Sequence, residues 1–173
     1  MDFRGLLTAL ATGKVDFIVV GGVSAVLQGA PMTTQDLDIV PSRSEANLKR
    51  LVLVLRELEA AYRELLPEKT EPTEVDLSSD LHHLLQTRLG PLDVLGTVHG
   101  GLDYEDLVPR SRTIRLESTL LVRALDLHAL IEIKDAIGRD KDRAQLPLLR
   151  STLRERERSR SGGSSETEPN RDG

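Results

Sequence analysis

The chain has 173 residues, 39% hydrophobic and 29% charged, which is enough for one ordinary domain and too few for a second. Its 23 Lys+Arg against 28 Asp+Glu leave a net charge of −5, which argues against a duplex-DNA surface and leaves room only for a local basic pocket. With no cysteine the composition excludes disulfide scaffolds, thiolate zinc sites and cysteine nucleophiles, and with only Phe3, Phe17, Tyr62 and Tyr104 as aromatic residues it argues against a base-stacking platform.

The N-terminal residues lack the charged and apolar regions of a secretory signal. The most apolar stretch, Phe17 to Gln28, holds two glycines and is too short to span a bilayer, so a soluble, cytoplasmic protein without membrane contact is expected. Leu6, Leu7, Leu10 and Ala11 form a helical stripe, and Phe17-Ile18-Val19-Val20 reads as a strand buried on both faces. Gly21-Gly22 ends that strand, and Val23 to Leu27 reads as a short helix stopped near Gly29. Asp36-Leu37-Asp38-Ile39-Val40 alternates, so a strand there carries both carboxylates on one face and Leu37 and Ile39 on the other.

Ser42 and Glu45 have capping-box spacing, and Leu48, Leu51, Val52, Leu55, Leu58, Tyr62 and Leu65 recur at helical period, which predicts one long helix. Pro67 to Pro72 reads as a polar connection. Leu81 to Leu89 and Leu92 to Val98 read as two strands across a Gly90-Pro91 turn. A helical turn at Asp103 to Leu107 and strands at Thr113 to Leu116 and Leu120 to Leu125 follow. Asp126 then caps a helix to about Ile137, and after Gly138 a last helix starts near Asp140. Nothing apolar follows Leu153, so a domain over 1–153 and a disordered polar tail over 154–173 are expected. The four histidines show no metal-ligand spacing, and zinc is not predicted.

A glycine pair at a strand end, a short helix and then Asp-x-Asp on the next strand form one connected unit. Backbone N–H groups at the strand end suit phosphate oxygens, and paired carboxylates suit hard divalent cations. Val20-Gly21-Gly22, thirteen intervening residues and Asp36-Leu37-Asp38 resemble the signature of the nucleotidyltransferase superfamily, with its DNA-polymerase-β-like fold. The runs Gly21 to Gly29 and Thr34 to Ile39, with Lys134-Asp135-Ala136-Ile137-Gly138-Arg139-Asp140-Lys141-Asp142, are similar to the small prokaryotic branch that includes AbiEii-type toxins.

The resemblance implies a minimal α/β domain, a mixed sheet with helices packed against it. It also implies transfer of a nucleoside monophosphate from an NTP to an acceptor hydroxyl, with two Mg2+ ions on Asp36, Asp38 and a third carboxylate, for which Asp93 is the best-flanked candidate. Gly21, Gly22 and Ser24 would cradle the triphosphate. Lys134 completes the apolar stripe of Leu127, Leu130 and Ile131, an inner-face lysine that needs a charge partner, and the resemblance assigns it with Arg139 and Lys141 to nucleotide phosphates. Asp142 would either be solvated or orient Lys134 or Lys141.

A tRNA end is the leading acceptor on this reading, ahead of a protein hydroxyl or a small molecule, with an antitoxin as partner. Two departures stand out: Met32 where many relatives carry arginine, and Gly22 where many carry serine, which removes a hydroxyl from the triphosphate site. They favour the alternative of a noncatalytic nucleotide-binding or partner-regulated interaction module.

Overall fold

The structure, a computed structural model, describes residues 1–63, 70–117 and 120–162. Its centre is a seven-stranded mixed sheet. The strands are β1 (Phe17–Val20), β2 (Leu37–Pro41), β3 (Ala61–Tyr62), β4 (His82–Thr87), β5 (Gly90–Leu95), β6 (Ser111–Arg115) and β7 (Leu121–Leu125), in the order β3-β4-β5-β2-β1-β7-β6. The pairs β2–β5 and β1–β7 are parallel and the other four antiparallel. The helices are α1 (Phe3–Thr12), α2 (Gly21–Leu27), α3 (Glu45–Glu57), α4 (Glu74–Leu77), α5 (Tyr104–Leu107), α6 (Leu127–Ile137) and α7 (Asp140–Gly162). Among the described residues no helix is long and apolar enough to cross a membrane.

Strand β1 is buried along its whole length because each face of the sheet has its own core. Val19 joins Leu37, Ile39, Leu92 and Val94 under Leu6, Leu7 and Leu10 of α1 and Leu48, Leu51 and Leu55 of α3. Ile18 and Val20 join Val40 and Leu125 under Leu127, Leu130 and Ile131 of α6 and Leu146 and Leu149 of α7. The parity of each strand therefore decides which helices its side chains meet.

Four boundaries differ from expectation. The long helix stops at Glu57. Glu59 takes a left-handed conformation (φ 53°), its N–H bonds to Arg56 O at 2.9 Å and Ala60 N–H bonds to Leu55 O at 2.9 Å, a Schellman-type stop without glycine. Tyr62 consequently lies on β3, where its hydroxyl meets Nδ1 of buried His83 at 2.8 Å, and Leu65 falls outside the described residues, as do 67–69 of the polar connection. At the start of α3 the cap residue is Ser44, and no Ser42 capping box forms. Fully buried Asn47 anchors this end instead: its amide donates to Asp16 O (2.9 Å) and Ser42 O (2.7 Å) and accepts from Asp16 N–H (2.7 Å).

The β4–β5 turn is Arg88-Leu89, with Gly90 already paired to Thr87. The Thr87 hydroxyl closes the turn by donating to Gly90 O at 2.7 Å and accepting from Leu89 N–H at 3.1 Å. Helix α7 runs past the boundary expected at 153, because Thr152 is buried and Arg156 reaches back to the Gln28 side-chain oxygen at 3.0 Å; residues 163–173 of the expected tail lie outside the described residues.

Replacing Asn47 by alanine leaves Asp16 N–H and Ser42 C=O without these partners at a part-buried helix start. We expect a loss of about 2 kcal/mol, because water partly replaces the lost partners, measured as a lower urea midpoint at unchanged m-value.

Candidate functional site

The register of β2 on β5 builds the site. Asp38 lies directly opposite Asp93 on the neighbouring parallel strand, so both side chains stand on the same face of the sheet. Asp36, one residue before β2, shares the parity of Asp38, while Leu37 and Ile39 point into the opposite core. Next to them β1 ends and α2 begins at Gly21, whose backbone is left-handed (φ 61°). A Cβ at Gly21 would run into the Asp38 carboxylate, so this glycine answers both a backbone and a contact requirement.

These residues form one wall of a cleft of about 350 Å³. The facing wall comes from α6 and α7 and includes Ile133, Lys134, Ile137, Arg139, Lys141, Asp142 and Gln145. A larger groove of about 660 Å³ runs between α1 and α3, on the helices that cover the other face, and contains none of the three aspartates.

Burial first and the Asp36 charge second push the Asp38 carboxyl up to about 6, against the pull of Lys134, Lys141 and Arg63. On the facing wall Asp142 is 3% exposed in its side chain. Its Oδ1 accepts from Lys134 Nζ at 2.8 Å and its Oδ2 from Arg139 Nε at 3.0 Å. Burial raises the Asp142 pKa, but these two cations outweigh it and hold the carboxyl below its ordinary value. The charge partner that an inner-face lysine requires is thus Asp142, on the first turn of α7.

Eight of the nine residues expected at the site line this cleft: Gly21, Gly22, Asp36, Asp38, Asp93, Lys134, Arg139 and Lys141. Ser24 does not. It is fully buried and its hydroxyl donates to Leu125 O at 2.7 Å, which ties α2 to β7 and directs the side chain away from the cleft.

Arg63 is the residue that the sequence reading missed. Its guanidinium pairs with Asp93 Oδ1 from just beyond β3, within the stretch where the leucine period predicts helix. His82 and His99 also line the cleft, and His82 Nε2 bonds to Thr97 O at 3.0 Å. Their spacing carries no signal that places them there.

Among the described residues, no three histidine or acidic side chains are arranged as a closed cation site. The donor set at Asp36 and Asp38 nevertheless suits a hard divalent ion: two carboxylates share one partly buried face, and their mutual repulsion is the kind that a cation offsets. Asp93 lines the same cleft with one oxygen engaged by Arg63.

No family model and no curated protein matches the sequence. Solved structures do match. A candidate nucleotidyltransferase from Thermotoga maritima superposes with a TM-score of 0.53 over 88% of this chain and 90% of its own, at 19% identity. The chain has the nucleotidyltransferase fold. ANT(2″)-Ia, solved in complex with adenylyl-2″-tobramycin, aligns at TM-score 0.54 and 13% identity over 87% of this chain and 86% of that one. The lincosamide antibiotic adenylyltransferase LnuA, solved with lincomycin bound, aligns at 0.59 and 12% over 87% and 96%.

The two walls predict opposite responses to neutralisation. Asp38 holds a proton in the folded state between its ordinary 3.8 and about 6, so its cost to stability grows as pH rises through that window and is complete above it. At pH 7.5 Asp38→Asn is expected to stabilise the protein by on the order of 1–2 kcal/mol, a pKa shift discounted for solvent in the cleft, with the gain vanishing near pH 4. Asp142 has a lowered value, so the stability it contributes is present above its ordinary 3.8 and is lost as pH falls. Asp142→Asn leaves Lys134 unpaired and is expected to cost about 3 kcal/mol at pH 7.5, read in parallel thermal melts across pH.

Proposed function

We propose that the protein is a metal-dependent nucleotidyltransferase that moves a nucleoside monophosphate from an NTP to an acceptor hydroxyl. One observation carries this reading: Asp36, Asp38 and Asp93 meet on one sheet face beside Gly21, across a cleft from Lys134 and Lys141, in a fold shared with nucleotidyltransferases.

On this reading Asp36 and Asp38 hold magnesium, with Asp93 beside them. Bound there, the metal supplies charge neutralisation at the triphosphate and lowers the proton affinity of the attacking hydroxyl. Lys134 and Lys141 bind phosphate oxygens from the facing wall, and Asp142 keeps the Lys134 ammonium aimed into the cleft. Arg139, 62% exposed, completes the basic rim. The acceptor oxygen attacks the α-phosphorus, its proton passes to Asp93, and the bond to the β-phosphate breaks to release pyrophosphate. Ile133 and Ile137 give the cleft an apolar side.

The segment from Lys134 to Asp142 supports the AbiEii-toxin-like branch, with a tRNA end as acceptor and an antitoxin as partner. The antibiotic ligands of ANT(2″)-Ia and LnuA support a small hydroxylated molecule instead. A second reading, a nucleotide-binding module without turnover, is favoured by Arg63, which engages the carboxylate that the transfer needs as a base.

The test is incubation of the full chain with each α-labelled NTP, magnesium and a cell extract separated into RNA, protein and small molecules. Label is expected in one fraction, reduced about a hundredfold or more in Asp36→Asn and Asp38→Asn. NTP binding without label in any fraction would support the module and reject the transferase.

A further inference from the structure

The second glycine after β1 is filled from outside. A Cβ built on Gly22 would lie 2.7 Å from Thr34 Oγ1 and 2.8 Å from Thr34 Cβ, closer than real side chains approach. The space beside residue 22 is therefore taken by the Thr34 side chain, which arrives from the loop between α2 and β2.

The Thr34 hydroxyl is weakly committed. Its two contacts, to Asp36 O and Asp36 Oδ1, are both 3.3 Å, long for a hydroxyl donor. Thr34 is half-buried and lines the cleft with Gly21, Gly22 and Asp36. Ser24, the hydroxyl expected here, is turned away to Leu125. Thr33 also lines the cleft, but it is exposed and has neither the Gly22 nor the Asp36 contact.

We propose that Thr34 is the hydroxyl donor of the nucleotide site: its Oγ–H turns from Asp36 to a phosphate oxygen of the bound NTP, and residue 22 is glycine because Thr34 fills its side-chain volume. The proposal rests on the nucleotidyl-transfer reading and adds to it a binding residue outside the glycine pair. It also accounts for the missing serine hydroxyl, because the same function reaches the same place from the other side of the cleft floor.

The experiment titrates the full-length protein calorimetrically with each of the four α,β-methylene NTPs, with and without magnesium, and records melting temperatures. Thr34→Val keeps the shape and loses the donor, so binding is expected to weaken about tenfold, the effect of one hydrogen bond to a charged group, while Thr34→Ser stays within about twofold. Gly22→Ser should melt lower and bind more weakly through its collision with Thr34. Gly22→Ser combined with Thr34→Ala should recover both, to within about threefold in affinity, because the new hydroxyl occupies the vacated space.

Native affinity in Thr34→Val, or no recovery in the double variant, overturns the proposal and leaves the transferase reading standing. A loss confined to magnesium-containing samples also overturns it, because that pattern belongs to a residue that only orients Asp36. A native chain that binds none of the four NTPs defeats the transferase reading and this proposal together.

Discussion

Two carboxylates fixed side by side on neighbouring parallel strands are the constraint on which the rest of the site depends. The Asp38–Asp93 register places two carboxylates at strand spacing on a partly buried face, where burial and the Asp36 charge disfavour the Asp38 anion. The surroundings offset it. Lys134 and Lys141 act on Asp38 from the helical wall, and Arg63 engages Asp93 from the sheet edge. The backbone can hold this strain because the reverse side of the same strands, Leu37, Ile39, Leu92 and Val94, is locked into a dry core. A shift of one residue in either strand would exchange aspartate for leucine on both faces, so the hydrophobic pattern itself enforces the register.

How much of this was legible in the sequence depends on whether the signal was local. The alternation of Asp36 to Val40 and the apolar run of β1 specify strands by side-chain parity, and parity alone places Asp36 and Asp38 together. Lys134 was legible for the same reason, as a charge that breaks an apolar helical stripe. The end of α3 was not. Its stop uses Glu59 in a left-handed conformation, where the sequence signal would be glycine, and the periodic leucines continue past the true end. That one misreading moved Tyr62 and Arg63 onto a helix and hid the Arg63–Asp93 pair. Ser24 failed for a different reason: the parity of a two-turn helix does not say which of its faces the next strand will cover, and β7 covers the serine.

Charge in the cleft is arranged in two separate groups. On the helical wall Lys134, Arg139 and Asp142 form a self-contained cluster in which one buried carboxylate serves two cations. On the sheet wall the acidic groups outnumber their cationic neighbours. A ligand that brings both anionic and cationic parts, such as a metal-bound triphosphate, matches this separation, whereas a simple anion or a simple cation would satisfy one wall and leave the other unchanged. The separation bears on either reading of the site, because it concerns recognition and not turnover.

The two walls are also anchored in different cores. The carboxylates ride on β2 and β5, which both cores grip, while the basic groups ride on α6 and α7, which pack in the second core alone. Substitutions among Ile131, Leu146 and Leu149 can therefore reset the spacing between the walls without altering any side chain that lines the cleft. In evolutionary terms, that makes the width of the cleft and its acidic wall separately adjustable: a lineage can vary the spacing through apolar drift beneath one wall while the acidic wall stays as it is.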